Sequence, residues 1–183
     1  MKTQKKWFFF LHYGIVNLLL NLYPFFIIHV SYENQSHIGN ALHQPIYLIL
    51  WAISSAYGFY YYSKILWEHY HIPYHKKIHL ILCGGLVLSC IIPYSNDLFF
   101  LINDLHVWIA VLCTVGVSLE WLRILFHPIL NFDSFFRKFY FLLLLFFSIS
   151  AMLFFIYGSV NSLCEITFSF FVNLILGIWI SIQ

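Results

Sequence analysis

Ten histidines and seven acids are the side chains of this 183-residue chain best suited to hold a metal or move a proton. Six of these residues form a set: His37 and His43 in SYENQSHIGNALHQ, Asp97, Asp104 and His106 in IPYSNDLFFLINDLH, and Glu165 further on. Neutral imidazole with carboxylate suits a divalent cation, and histidine beside carboxylate suits proton transfer. The spacing argues against a metal centre. No His-Glu-x-x-His pattern occurs, and Asp104 and His106, two positions apart, point about 200° apart on a helix. The set reads either as a solvated outer rim, with Asp104 favourable at a helix N-terminus, or as a ligand-binding set for a lipid headgroup, small ligand or partner, with no catalytic group, metal or cofactor assigned.

Further groups carry charge or sulfur. Glu120 and Arg123 are i, i+3 and share a helix face, which makes them a buried ion pair with His127 close by. The stretch EHYHIPYHKK holds His69, His71 and His75, with His79 beyond, but Lys76 and Lys77 repel a cation there. Cys83 and Cys90, seven apart, are separated by about 10 Å along a helix, too far for a disulfide. All four cysteines are expected to pack between helices.

The elements that position these residues follow from composition. Hydrophobic residues make up 62% and charged ones 9%, where soluble domains have about 45–50% and about 25%. So small a body cannot hide that much apolar surface from water. A soluble enzyme, a nucleic-acid binder, a disordered tail and a disulfide-stapled module are excluded. Six apolar runs of roughly membrane-spanning length occur, at about 7–30, 45–67, 78–94, 104–126, 138–158 and 165–182. The expected architecture is all-α: a polytopic six-helix bundle in the cell membrane, forming one domain over residues 1–183.

Orientation follows from Lys and Arg, which concentrate on the cytoplasmic side. With both termini cytoplasmic, all nine basic residues fall on that side, while Glu33, Asp97, Asp104 and Glu165 fall on the outer side beside His29, His37, His43 and His106. Membrane lipid is the expected partner, with a membrane-protein partner as the other. The first apolar run exceeds a signal-peptide core in length and is expected to stay as an uncleaved helix. The run LFFLIN between Asp97 and His106 either dips into the interface or belongs to an early start of the fourth helix.

Several aromatic residues fall at expected interface depth. Trp7, Trp67, Tyr70, Tyr74, Trp121, Tyr140 and Trp179 read as cytoplasmic anchors, and Tyr32, Tyr47, Trp51, Tyr94, Trp108 and Tyr157 as outer ones. Asn17 and Asn21 on the first helix, and Ser169, Asn173 and Gly177 on the last, form polar-small stripes of the kind that join helices in lipid. Pro24 is expected to kink the first helix, with Asn21 helping to satisfy the freed backbone.

The elements Ser36-His37-Ile38-Gly39-Asn40, Ile92-Pro93-Tyr94 and Asp104-Leu105-His106 resemble the damage-regulated autophagy modulator family and its bacterial six-helix membrane relatives, over about residues 7–126. In that family a Ser-acid-x-Gly motif follows the first helix. Ser36 and Gly39 match it, while His37 stands where the acid would be. The resemblance implies a six-helix fold with both ends inside rather than a particular activity.

Three other functions compare less well. Substrate-capturing subunits of vitamin transporters carry an Ala-x-x-x-Ala face on the first helix, whereas this first helix has no alanine and the chain has five. A membrane-embedded metal-dependent hydrolase would have only Asp104, His106 and His37 or His43 to draw on, and a haem only His29 and His106. A non-catalytic membrane protein is the leading expectation.

Overall fold

The computed structural model describes residues 3–94 and 100–183, and no strand occurs among them. Helix α1 is a composite rod: Thr3–Phe10, a π-helical segment Leu11–Val16, Asn17–Leu22 and, past Tyr23, Pro24–Ile27. A short α2 (Gln35–Asn40) leads into α3 (Pro45–His69) and α4 (Lys76–Ile91). Next comes α5 (Phe100–Leu122), which ends in a 3-10 turn, Arg123–Phe126. One turn, α6 (Ile129–Phe132), precedes α7 (Ser134–Tyr157), and α8 joins Ser162–Ile166, a π-helical segment Thr167–Phe171 and Val172–Ile182.

Among the described residues, four helices are long and apolar enough to cross a membrane: Trp7–Ile27, Asp104–Phe126, Ser134–Tyr157 and Ser162–Ile182. They mark a membrane-embedded protein, and large apolar side chains such as Phe26, Phe155 and Ile81 face outward at 82, 78 and 70% exposure. The other two long helices fall short for different reasons. Helix α4 has 16 residues, fewer than the about 20 a spanning helix needs. Helix α3 has 25, but five tyrosines and three serines dilute its apolar character. The fourth sequence segment does start early, since α5 already begins at Phe100.

Helix α3 packs against α1, α4 and α8; α5 packs on α4, α7 on α8, and α1 also on α8. At the end where α3 finishes, Trp67, Trp121, Trp179 and Tyr140 are fully buried. This corrects the expectation that they are interfacial anchors. Position along a helix gives depth in the bilayer, while these rings turn inward and meet one another: Trp67 and Trp121 lie 5.3 Å apart, and Tyr140 Oη donates to Trp121 O at 2.9 Å. His79, expected beside the histidine-rich loop, is buried among them and bonds Phe59 O at 3.1 Å. Trp7, Trp108 and Tyr32 remain exposed, as anchors should.

A buried polar seam joins α1, α3 and α8. Asn21 Oδ1 accepts from Ser169 Oγ at 2.6 Å and Trp51 Nε1 at 3.0 Å, and its amide donates to Asn17 O at 2.8 Å and Oδ1 at 3.0 Å. Asn173 donates to Ser169 O at 2.8 Å and Ser55 O at 3.4 Å. Asn17 reaches Phe170 O in the π-helical turn of α8 at 3.4 Å. Towards the tryptophan end, His12 in the π-helical turn of α1 bonds Tyr62 Oη at 2.7 Å and Ser54 at 3.2 Å. In lipid such contacts do what the hydrophobic effect does in water, because apolar side chains gain little by leaving lipid for one another.

Asn21 does not supply the backbone that Pro24 frees. Proline at 24 removes the N–H that would bond Leu20 O, and Tyr47 Oη stands 2.8 Å from that carbonyl instead. The help comes from α3 rather than from the same helix. The four cysteines are free.

Candidate functional site

The loop between α1 and α3 closes one end of the bundle as a cap, built on two helix starts that complete each other. The first N–H groups of a helix lack partners within it. At the start of α8, Ser162 N and Leu163 N donate to Glu33 O and Val30 O at 2.8 and 3.1 Å, while Asn161 caps Cys164 N at 3.0 Å and its amide holds Ser31 O at 2.9 Å. In return, Glu165 Oε2 of α8 accepts from Gln35 N, in the first turn of α2, at 2.7 Å. Asn34 caps α2 by accepting from His37 N at 2.9 Å.

A second tie comes from α5. His106 Nδ1 lies 3.0 Å from Ile92 O, a pure acceptor, so Nδ1 carries the hydrogen and Nε2 accepts from Ser36 Oγ at 3.0 Å. Hydroxyl, base and orienting acceptor are the parts that nucleophilic catalysis uses. Here Ser36 and His106 are 8 and 6% exposed, and the bond lashes α2 to α5. The Tyr94 ring lies 5.3 Å from His106, and its backbone N–H donates to Asn40 Oδ1 at 3.1 Å.

The six expected site residues therefore part company. His106 and Glu165 meet α2 at neighbouring residues, Ser36 and Gln35. His37 pairs with Glu33 at 3.1 Å, both about one-third exposed. His43 is exposed with a left-handed φ of 56°, Asp104 is exposed on α5, and Asp97 lies outside the described residues. No group of three or more His, Cys, Asp or Glu able to hold a metal occurs among the described residues. Glu120 and Arg123 pair, Nε to Oε2 at 3.1 Å, but their side chains are 13 and 37% exposed, so the pair is half-open rather than buried, with the guanidinium 6.0 Å from the centre of the Trp67 ring.

Sequence reasoning missed the polar groups under the cap. Gln35 and Ser162 are fully buried, and Ser162 Oγ has no partner among the described residues. Tyr47 Oη lies 2.8 Å from both Leu20 O and Gln35 Oε1, yet it has one hydrogen to give. Whichever way the Gln35 carboxamide is turned, one of its two polar atoms stays unpaired. No cationic side chain pairs with Glu165 among the described residues. The Asn161-Ser162 pair before the last apolar run was the available signal, since Asn and Ser favour helix N-caps.

Replacing His106 by alanine is expected to release α2. It removes the Ser36 acceptor and the Tyr94 partner, a loss of about 1–3 kcal/mol. Amide hydrogen exchange over residues 35–40 should quicken at least tenfold, while exchange in α7 stays unchanged. Unchanged exchange in α2 would show that the latch holds nothing.

Searches among protein-family models, curated proteins and solved structures give no match to this chain.

Proposed function

We propose that the chain is a non-catalytic, six-span protein of the cell membrane with both termini cytoplasmic, whose outer cap binds a lipid headgroup bearing a hydrogen-bond-donating ammonium. The long helices alternate in direction, so their connections fall on two faces. Lys64, Lys76, Lys77, Arg123, Arg137 and Lys138 all belong to the face opposite the cap, which supports the orientation through the positive-inside rule.

The observation that carries the ligand reading is Glu165. A carboxylate at the edge of the bilayer needs a counter-charge or several donors. Among the described residues it receives one backbone N–H, at 2.7 Å, and beside it on α8 the Ser162 hydroxyl has no partner. A primary ammonium supplies positive charge and three donors to such a group. A quaternary ammonium supplies the charge without the donors.

The test uses the purified full chain in detergent with phosphatidylethanolamine or phosphatidylcholine of identical acyl chains. Phosphatidylethanolamine should raise the unfolding temperature above the phosphatidylcholine value for wild type, and the difference should vanish for Glu165→Gln. Equal responses to the two lipids, or an undiminished difference in the variant, reject the reading.

A further inference from the structure

Outside the cap, the strongest feature is a cavity of about 360 Å³ at the opposite end of the bundle, between the end of α5 and the start of α7. Its lining combines Arg137, His127 and Asn131 with the apolar Leu125, Phe126 and Phe141. No acid lines it. Two of the polar groups present donors, and the Asn131 amide can supply a third. Ile129 N donates to His127 Nδ1 at 3.3 Å, so the ring hydrogen stands on Nε2. Arg137 Nη1 donates to Leu130 O at 3.1 Å, which fixes the guanidinium and leaves its other N–H groups for a ligand.

The surroundings set the depth. Phe126 and Phe132 flank the α5–α7 connection at 91 and 85% exposure. The connection joins the membrane-length helices Asp104–Phe126 and Ser134–Tyr157, so Arg137, in the first turn of the second, lies near headgroup level. Lys138 follows it in sequence but is not part of the lining, and neither is Asp133, whose carboxylate caps α7 at Phe136 N (2.8 Å).

We propose that this cavity binds a phosphate group, held by Arg137, His127 Nε2–H and the Asn131 amide, with Phe126 and Phe141 contacting the apolar part of the molecule that carries it. Arginine suits phosphate because its planar fork presents paired donors. An anionic lipid and a soluble phosphate share this chemistry, and the experiment separates them.

Native mass spectrometry of the full chain in mild detergent, with phosphatidylglycerol, phosphatidylcholine of the same chains, or inorganic phosphate, reads the adducts directly. Phosphatidylglycerol adducts should exceed phosphatidylcholine adducts, and Arg137→Gln should lower them about fivefold. His127→Ala leaves the Arg137–Leu130 bond in place and should lower them as well, so a folding defect in one variant does not decide the matter. Lys138→Gln, outside the lining, should change them little. Displacement by inorganic phosphate identifies a soluble ligand, and its failure to displace identifies the lipid. The proposal is overturned if neither phosphatidylglycerol nor phosphate binds preferentially, or if Arg137→Gln has no larger effect than Lys138→Gln.

Discussion

Gly58→Ala is expected to lower the stability of the folded bundle by about 3 kcal/mol, the upper end of the range for overpacking a filled interior. A methyl group at position 58 would overlap the carboxamide oxygen of Asn173, which is fully buried. That carboxamide cannot simply turn aside, because its amide is held by Ser169 O at 2.8 Å and points to Ser55 O at 3.4 Å. Either the two bonds break or α3 moves off α8, and both open the centre of the fold. The control lies one helix away. Gly84 has nothing within 4 Å of where a Cβ would stand, so Gly84→Ala should be neutral or stabilising by about 0.5–1 kcal/mol, the usual gain of alanine over glycine in a helix. Thermal unfolding of the two variants in one detergent decides the matter, and equal midpoints would mean that the α3–α8 approach is not as described.

The next largest effect is expected from Asn21→Leu. Leucine keeps the branching of asparagine but loses four hydrogen bonds, to Ser169, Trp51 and twice to Asn17. The two that cross between helices, to Ser169 and Trp51, average about 0.6 kcal/mol each in lipid, and leaving their buried donors unsatisfied brings the loss to about 2–3 kcal/mol for the site. Part of the loss is the stranding of the Trp51 indole N–H and the Ser169 hydroxyl, groups that lipid cannot satisfy. Leu19→Ala, at a position 62% exposed on the same helix, changes a lipid-facing side chain and should cost far less. Reversible unfolding in mixed detergent measures both. If Asn21→Leu proves no worse than Leu19→Ala, the seam is not what joins the helices.

These two sites show what could be read from sequence and what could not. The stripes Asn17–Asn21 and Ser169–Asn173–Gly177 were legible because amides are too costly to face lipid, so their side of the helix must face protein. Helix lengths were legible from apolar runs. Direction around the helix axis was not, wherever only depth was known. Trp67, Trp121 and Trp179 lie at the depth of anchors and turn inward. Helix α2 is too short to show a period, although Asn34 at its start is a good cap residue. Of the six residues grouped from sequence, His106 and Glu165 reach α2 from different helices, an arrangement no spacing along the chain encodes. Gln35 and Ser162 carry no charge and do not stand out from the other polar residues of their connections.

The two π-helical segments, Leu11–Val16 and Thr167–Phe171, affect how this chain should be aligned with others. A turn closed by i→i+5 bonds holds about one residue more than an α-turn, so everything beyond it is rotated by about 100° relative to an unbroken α-helix. A homologue with plain α-helices here would keep the same inward face only by being one residue shorter in each segment. An ungapped alignment of the two would place lipid-facing residues opposite Asn21 and Asn173, and the seam would look unconserved. A single-residue gap in each segment restores the pairing.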